Sequence, residues 1–433
     1  MLLKINNSFL FTSIVQNMTT YYKIYDKINM DVILMKFYDN ISKEEYIKFW
    51  ENNANQHFLN SYWWGIVSNN NKGVIPKYVG LRNDNNEILC ETLILIKKTP
   101  LNMSYLYAPR GFLINWDNKE LVKEFTNSLK DYMKKINAIY LRVDPAIMYQ
   151  EIDIEAKPIK DGKNNYELFN YLLKLGYNHK GFYKLYEGNQ PRYTFRTINK
   201  NYNSFEEIEK TISKSTMRDI KRSYKYDLKI ELSDNIDDFY ELHKRVANKD
   251  DFNVNSEEYF KDIFNLFKED NYVKNYVCKI NLNNVINDLK NELNNETNEE
   301  RINKINKDIN FFESKKTTDD DIVIGSMLCL YSEIGAWALY IGTDEIAEYI
   351  NLINRYCYEF LKDSFNEGKE FSDLFGTVGD PHTKYKNLAG IFEYKRKLGG
   401  TYLEWMGDFD LVNKSLWYKI LPFLLKIYRK LKR

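Results

Sequence analysis

The chain has 433 residues, and its 62 Lys and Arg against 61 Asp and Glu give a formal net charge of +1. Hydrophobic residues make up 44% and aromatic residues 15% of the chain; this is enough for a sizeable core and excludes general disorder. The balanced charge excludes a polybasic nucleic-acid coat protein, although local basic patches remain allowed. At roughly 100–200 residues per domain, two or three domains are expected.

The cysteines and histidines give no sign of a metal site or a disulfide framework. The four cysteines are far apart and form no CxxC pair: Cys90, Cys278, Cys329 and Cys357. We therefore predict reduced cysteines in the core, no bound metal and a cytoplasmic protein. The sequence has no uninterrupted apolar run of about 18 residues, so no membrane-spanning helix is predicted.

The first well-patterned segment begins near Met30. Residues 1–29 include a weakly apolar stretch but no clear signal-peptide cleavage site, so we predict an N-terminal extension outside the fold. Whether this extension is translated, or whether Met30 is the true start, stays open at this point.

The first half of the chain alternates predicted helices and strands. Ser42, followed three residues later by Glu45, is a capping box and predicts a helix over residues 42–52. Three strands, a long amphipathic helix and a fourth strand follow, at residues 78–82, 88–97, 105–108, 119–137 and 138–143. This alternation predicts an α+β (mixed α/β) fold.

The second half repeats the paired strands of the first half, with an insertion between them. A strand beginning at Tyr276 and its partner over residues 322–330 are separated by about forty residues. Within the insertion, apolar residues recur every three or four positions in two runs joined by a polar turn, which predicts an antiparallel coiled-coil hairpin over residues 281–315. A helical hairpin packed on the body is the alternative.

The remaining elements end in a basic helix. We predict a helix, a strand, a Gly-, Lys- and Asp-rich loop and a further strand at residues 352–367, 371–375, 376–390 and 401–406. Residues 414–433 contain seven basic and no acidic residues. Their apolar residues fit one helical stripe, which predicts a membrane-surface contact, with a helix docked on the body as the alternative. The stripe consists of Trp417, Ile420, Leu421, Leu424, Ile427 and Leu431.

No HExxH, GxSxG or Walker motif is present in the sequence. Three other places could carry chemistry. Asp144 ends a strand, where it either serves an active site or, as is commoner, caps the loop or pairs with Arg142 or a nearby lysine. Lys395 precedes a glycine pair and either stabilises an oxyanion or holds phosphate, or it lies in a solvated turn. A basic helix start either binds phosphate or forms a solvated face; its residues are Lys214, Arg218, Lys221, Arg222 and Lys225.

Seven stretches carry a family resemblance when they are taken in order. They are FLNSYWWG (58–65), LYAPRG (106–111), YLRVDP (140–145), STMRDIKRS (215–223), ALYIGTD (338–344), EYKRKLGG (393–400) and GDFDLV (407–412). In this order the chain resembles the FemABX family of peptidoglycan bridge-forming aminoacyltransferases. The resemblance implies two tandem GNAT-like domains, over residues 30–190 and 191–412. It also implies a coiled-coil arm in the second domain and a C-terminal helix over residues 413–433.

The resemblance also implies an activity. It implies transfer of Gly, Ser, Ala or Thr from aminoacyl-tRNA to the stem or bridge peptide of a precursor such as lipid II. No cofactor is implied, because the CoA signature R/Q-x-x-G-x-G/A is only approached at residues 396–401. The implied partners are aminoacyl-tRNA, which the coiled-coil arm could contact, the lipid-linked precursor and related bridge-forming enzymes. The implied location is the cytoplasm, at the inner face of the plasma membrane.

Two other functions remain open from the sequence. One is a CoA-dependent GNAT-type N-acyltransferase on the same fold, which a CoA-binding titration would distinguish. The other is a non-catalytic, membrane-associated protein that binds tRNA or precursor.

By position, the resemblance implies two catalytic residues and a set of substrate-binding residues. Lys395 matches a lysine that stabilises the tetrahedral intermediate, and Asp144 matches a carboxylate near the acceptor amine. The candidate substrate-binding residues are Tyr340, Lys72, Arg110, Arg218 and Arg222.

Two family positions differ in this chain. The phosphate-binding lysine of the family falls near Ser68, so that Lys72 is the nearest base, and a substrate-binding arginine falls at Asn255. The contacts to precursor phosphates are therefore expected to differ from those of other family members.

Overall fold

The computed structural model describes residues 35–99, 103–250, 253–317 and 321–431. The predicted extension over residues 1–29 lies outside these described residues. Within them, no helix has both the length and the apolar character needed to cross a membrane.

Two mixed β-sheets organise the described residues. Their strands are β1 (Lys36–Tyr38), β2 (Ile75–Arg82), β3 (Ile88–Lys98), β4 (Ser104–Ala108), β5 (Ala138–Val143), β6 (Met148–Glu151), β7 (Tyr177–His179), β8 (Tyr193–Thr197), β9 (Leu228–Leu232), β10 (Val273–Asn281), β11 (Asp321–Tyr331), β12 (Gly335–Thr343), β13 (Phe371–Thr377), β14 (Thr401–Trp405) and β15 (Phe409–Val412). The first sheet has the order β1-β2-β3-β4-β5-β15-β7, and the second has the order β9-β10-β11-β12-β13-β8-β14-β6.

Helices cover both sheets. In the described residues they are α1 (Lys43–Glu51), α2 (Tyr62–Lys72), α3 (Lys119–Lys135), α4 (Tyr166–Lys174), α5 (Phe205–Glu209), α6 (Lys214–Ser223), α7 (Asp237–Asp250), α8 (Glu257–Lys268), α9 (Leu282–Asn294), α10 (Glu299–Ser314), α11 (Glu345–Tyr349), α12 (Leu352–Asn366), α13 (Lys386–Lys397) and α14 (Ser415–Leu431). The predicted capping box is present at α1, where Ser42 Oγ accepts from the Glu45 backbone N–H.

The two sheets repeat one layout, which confirms the predicted duplication. In both, four neighbouring strands are antiparallel and the fifth is parallel to the fourth, so β1–β5 correspond to β9–β13. A parallel pair needs a crossover connection. This is α3 in the first half, and α11 with α12 in the second. The fold is therefore α+β with two tandem GNAT-like units.

Each half also contributes a strand to the sheet of the other half. β15 lies between β5 and β7 in the first sheet, and β6 pairs with β14 in the second. The exchange brings the GDFDLV stretch beside the YLRVDP stretch, where Arg142 Nε donates to Asp410 Oδ1 at 2.7 Å. Each sheet therefore contains one strand from the other predicted domain.

Two apolar cores lie on the sheets. The larger covers the second sheet and continues to α1 and α2, and the smaller lies between the first sheet and α3. The helices α2 and α8 join the halves, because Asn71 Nδ2 donates to Asp262 Oδ2 and Trp63 Nε1 donates to Asp270 Oδ2, each at 2.8 Å. The four cysteines are buried and unpaired, as predicted.

The insertion forms a helical hairpin of α9 and α10 between β10 and β11. Its base packs on the second half, where Phe311 stacks on Tyr349 with ring centroids 3.8 Å apart and Phe312 is fully buried beside Tyr226. The base of the hairpin therefore agrees with the alternative of a helical hairpin packed on the body. Residues 294–298 form the largely exposed turn at the other end.

The C-terminal helix α14 docks on the first half through part of its predicted stripe. Leu421 is buried and packs with Met103 and Ile139. This part of the stripe cannot face a membrane, which agrees with the docked alternative. Leu416 and Phe423, which were not assigned to the stripe, are 70% and 63% exposed.

Candidate functional site

The parallel strands of the second sheet separate and leave a cavity between them. β12 and β13 pair only at Gly335–Trp337 and Phe371–Asp373. Beyond these residues lies a cavity of about 230 Å³, which we call the Lys395 cavity. It is lined mainly by Ala338, Leu339 and Ile341 of β12, Leu374, Phe375 and Gly376 of β13, Cys357 of α12, and Tyr394 and Lys395 of α13.

A bend in β13 borders this cavity. The register of β13 with β8 shifts between Asp373 and Gly376, and Phe375 has a φ of +57°. A left-handed conformation at a non-glycine residue costs about 1–3 kcal/mol and persists only where neighbours hold it. Asp373 Oδ1 accepts from the Phe375 backbone N–H at 2.7 Å. Asp373 is held in turn by Arg196, whose Nη2 lies 2.8 Å from Oδ2.

The facing strand is also irregular. The register of β11 with β12 shifts between Leu328 and Cys329, which pair with Tyr340 and Ala338, so Leu339 is an extra residue in β12. Such bulges bend a strand and end local pairing, and they are common next to active sites. Both strands are therefore distorted where they diverge.

Lys395 lies in the wall of this cavity and is 6% exposed. Its Nζ donates to the carbonyl oxygens of Gly376 at 2.7 Å and Phe375 at 3.1 Å. Burial lowers the pKa of Lys395 to about 8, and the charge of Asp373 acts in the opposite direction. An ammonium group has three N–H donors, so one remains for a ligand.

The surroundings of Lys395 exclude one of its open alternatives and correct one sequence prediction. Lys395 lies on a buried helical face rather than in a solvated turn, and the predicted loop over residues 376–390 is shorter. β13 continues to Thr377, and α13 begins at Lys386. The Gly-rich composition of this segment predicted a loop. The apolar residues Leu388, Ile391 and Phe392 are nevertheless spaced three or four apart, as in a helix.

Asp144 and Arg110 are in direct contact at the ends of β5 and β4. The Arg110 backbone N–H donates to Asp144 Oδ1 at 2.9 Å, and Arg110 Nε lies 3.8 Å from Oδ2. Asp144 is 1% exposed. Burial raises its pKa to about 7, against the effect of the Arg110 charge and with a contribution from Asp408. Asp144 thus caps the loop, one of its two sequence interpretations.

Arg110 lines a small cleft beside the Lys395 cavity, which we call the Arg110 cleft, and Asp144 lies behind it. Pro191, Phe375 and Gly376 line both spaces, and Arg110 Nη2 donates to the Pro191 carbonyl at 2.8 Å. Lys395 and Arg110 therefore line two neighbouring spaces that share a wall, and Asp144 contacts Arg110.

Tyr340 lies on β12 but is not part of the cavity wall that Leu339 and Ile341 form. Its hydroxyl lies 3.1 Å from the hydroxyl of Tyr259 on α8, and its ring packs edge-on against Phe260 with centroids 5.1 Å apart. Burial raises the pKa of Tyr340. Tyr340 therefore faces the helices that join the two halves.

Lys72 is exposed at the last turn of α2. Partial loss of hydration and the nearby charge of Lys97 both lower the pKa of Lys72. Ser68, one turn earlier, is buried. Two neighbouring cations at the surface form a suitable contact for phosphate oxygens, so Lys72 remains the better candidate of the two positions.

The two arginines predicted on the basic helix differ in exposure. Arg218 is exposed on α6, whereas Arg222 is half-buried, with Nη2 3.7 Å from Asp219 Oδ1 and its Nε buried. The structure therefore leaves Arg218 open to a large partner and turns Arg222 towards the body of the second half.

Sequence reasoning missed the residues that shape the cavity and the partner of Tyr340. They are Arg196, Asp373, Phe375 and Tyr259. One signal was available, because charged residues inside apolar strands are rarely buried unless they are paired. Arg196 and Asp373 each interrupt such a strand.

Comparisons with known proteins agree with this architecture. A family model described as the FemAB family matches residues 41–310 and 295–426. The aminoacyltransferase FemA of Staphylococcus epidermidis is 33% identical over 153 residues, which are 35% of this chain and 35% of that protein. The Staphylococcus aureus FemA is 30% identical over a segment of the same length. The chain thus matches about a third of the length of these curated relatives.

A crystal structure of FemX has a similar fold. It aligns with a TM-score of 0.72 and 22% sequence identity, and the alignment covers 89% of this chain and 99% of that chain. The arrangement of the two sheets is therefore one that is found in a solved structure.

Proposed function

The chain belongs to the FemAB family, and we propose that it is an aminoacyltransferase acting on the peptide of a peptidoglycan precursor. The donor in this proposal is an aminoacyl-tRNA, and the acceptor is an amine on the stem or bridge peptide of a precursor such as lipid II. The family model, which matches most of the chain, and the relatives named aminoacyltransferase FemA support this proposal.

The observation that carries the proposal is the buried ammonium of Lys395 where β12 and β13 separate. In the reaction, the acceptor amine attacks the ester carbonyl carbon, a C–N bond forms, and the ester C–O bond to the ribose breaks. The proton that the amine loses is balanced by protonation of the ribose oxygen, which leaves as the hydroxyl of the deacylated tRNA. Negative charge develops on the carbonyl oxygen, and Lys395 stabilises it with its remaining N–H donor. No covalent enzyme intermediate is required.

The size of the Lys395 cavity supports a small transferred group. Its volume of about 230 Å³ lies below the roughly 300–1,000 Å³ of drug-sized pockets. A glycyl, alanyl, seryl or threonyl group fits within this volume. The donor end would therefore enter between β12 and β13.

For the acceptor peptide we propose the side of β12 that faces α8. For the approach of its amine to the Lys395 cavity we propose the Arg110 cleft, which shares Pro191, Phe375 and Gly376 with that cavity. The hydroxyl pair of Tyr340 and Tyr259 lies on this side of β12, and α8, which carries Tyr259, packs on α2, which carries Lys72. Lys72 with Lys97 would contact precursor phosphates. Asp144 would act as a positioning residue, because it is buried and contacts the guanidinium group that lines the cleft.

We propose a membrane contact for the outer face of α14. Leu416, Lys419 and Phe423 follow one another at intervals of three and four, so they share one face, and all three are exposed. A lipid-linked precursor would be presented at such a surface. Co-sedimentation with vesicles containing phosphatidylglycerol should fall in L416E/F423E, whereas retained binding would remove this contact from the proposal.

The test of the proposed function is a transfer assay. Purified protein is incubated with lipid II and total tRNA charged with labelled amino acids, and the stem peptide is analysed by mass spectrometry. The proposal predicts a mass increase of one amino-acid residue that is lost when the tRNA is deacylated. Transfer from an acyl-CoA in place of tRNA, or no transfer with bound precursor, would contradict it.

A further inference from the structure

The helix α6 exposes a row of cations that the proposed reaction has not used. Lys214, Arg218 and Lys221 are spaced four and three residues apart, so they lie on one helical face, and all three are exposed. We call these residues the α6 stripe. At 1.5 Å of rise per residue the stripe is about 10 Å long.

The α6 stripe is not neutralised by neighbouring carboxylates. In the described ranges, none of its three residues forms a salt bridge, whereas on α3 Lys123 pairs with Glu120 at 3.2 Å and Lys134 pairs with Asp131 at 2.8 Å. Residues 214–225 contain five basic residues and one acidic residue. A chain of almost zero net charge therefore carries a locally positive surface at α6.

This positive surface belongs to the helical layer that forms the Lys395 cavity. Where α6 begins, the Ser213 backbone N–H donates to the carbonyl oxygen of Lys397, two residues after Lys395, at 2.8 Å. α6 also packs on α12, where Asn354 Nδ2 lies 3.4 Å from Asp219 Oδ2. α12 contributes Cys357 to the cavity wall. A ligand whose end occupies the cavity could therefore extend over α6.

We propose that the α6 stripe binds the phosphate backbone of the donor tRNA, away from the aminoacylated end. This inference rests on the proposed function, because it supposes that the ester end of the tRNA enters the Lys395 cavity. Lys and Arg contacts to phosphates position a nucleic acid without reading its sequence. The stripe therefore sets the affinity for tRNA and its salt dependence, while Lys395 acts on the ester.

Charge favours the stripe over the helical hairpin, the tRNA contact considered from the sequence. Residues 282–314 carry seven acidic and four basic residues, a net negative charge that disfavours a polyanion. The hairpin also engages Lys225, which follows α6 and lies 3.6 Å from Glu292. The hairpin therefore borders the positive surface without extending it.

The first experiment measures binding of an uncharged, fluorescently labelled tRNA transcript over a range of salt concentrations. Wild-type protein is compared with K214Q/R218Q/K221Q and with a control of equal charge loss on α3, K119Q/K123Q/K134Q. The slope of log K against log[salt] is negative, and each lost phosphate contact reduces its magnitude by roughly 0.7–0.9. We expect the magnitude of the slope of the stripe variant to fall by about 2 to 3 and its affinity to fall at least tenfold, with the control within twofold of wild type.

The second experiment separates tRNA docking from chemistry. With full-length aminoacyl-tRNA, the stripe variant should show a KM raised at least tenfold and an unchanged kcat. With a 3′-aminoacyl adenosine, which carries no phosphate for the stripe to bind, it should match wild type. Circular dichroism should show the same thermal unfolding for all variants, because the substituted side chains are exposed.

The possible outcomes are distinct. If wild type binds and uses tRNA but the stripe variant keeps its affinity and slope, the inference is wrong and the proposed donor stands. An equal loss of tRNA affinity in the α3 control would show that binding depends on the net charge of the protein and not on the α6 stripe. This result would also overturn the inference. If wild type neither binds nor uses tRNA, both the inference and the proposed donor fail.

Discussion

The two parallel strand pairs of the molecule occupy equivalent positions and end differently. In the first half, β4 and β5 pair from Ser104 and Ala138 to their last residues, Ala108 and Val143. In the second half, pairing of β12 and β13 stops after Trp337 and Asp373, and the Lys395 cavity fills the gap. The same layout is closed in one copy and open in the other.

Two aspartates mark this difference. Asp144, just after β5, accepts from the Arg110 backbone N–H just after β4 and so connects the ends of the closed pair. Asp373, inside β13, instead accepts from the N–H of Phe375 in its own strand and holds a bend away from β12. A duplicated scaffold can thus be closed in one copy and open in the other through a few hydrogen bonds, and our proposal assigns the chemistry to the open copy.

The largest expected effect concerns the residue that holds the bend. Asp373→Asn leaves the Arg196 cation, whose side chain is 13% exposed, without a charged partner, and breaking one side of a buried ion pair costs up to about 3–5 kcal/mol. We expect a loss of this size in the free energy of unfolding, measured by urea denaturation. The double variant R196M/D373N should recover part of it, and a D373N protein as stable as wild type would refute this account of the bend.

The next largest effect concerns chemistry in the open pair. Lys395→Met removes the ammonium proposed to stabilise the oxyanion, and loss of one such donor typically lowers kcat by about 10²–10³. We expect a loss of at least this size in single-turnover transfer. Near-normal turnover in a folded K395M protein would exclude Lys395 from the mechanism.

The pH profile should show the pKa of Lys395, because the ammonium form is the active one. With a lysine side chain as acceptor, kcat/KM should rise about tenfold per pH unit as the amine, of pKa about 10.4, deprotonates. Above the Lys395 pKa of about 8, loss of the ammonium should cancel this gain and level the profile. A wild-type profile that keeps rising to pH 9, like that of K395M, would contradict this assignment.

The smallest expected effect, at most about 1.4 kcal/mol between neighbouring pH units, belongs to the closed pair. Burial raises the pKa of Asp144 to about 7 from its ordinary value of 3.8. The folded state therefore binds its proton more tightly than the unfolded state, and wild type loses stability as pH rises from about 4 to 7. Relative to wild type, Asp144→Asn should gain stability over this range, by no more than about 1.4 kcal/mol per pH unit. If the difference in free energy of unfolding between wild type and Asp144→Asn stayed constant over this pH range, Asp144 would not titrate within it.

The sequence predicted the helices and strands better than the contacts between them. Hydrophobic periodicity and caps are local, so the capping box at Ser42, the duplicated strands and the inserted hairpin could be predicted. The bend at Phe375 is held by Asp373, whose partner Arg196 lies 177 residues away along the chain. Tyr340 contacts Tyr259, which is 81 residues away along the chain. Such contacts leave no periodic signal, so neither the cavity nor the exchange of β6 and β15 could be predicted.

The most direct test of the account is a crystal structure with a stable analogue of the donor end. A CCA oligonucleotide carrying glycine through an amide in place of the ester would serve as this analogue. The account predicts that its carbonyl oxygen lies between β12 and β13, about 2.7–3.1 Å from Lys395 Nζ. An analogue bound against β4 and β5, or elsewhere on the first half, would contradict the claim that the open strand pair is the catalytic one.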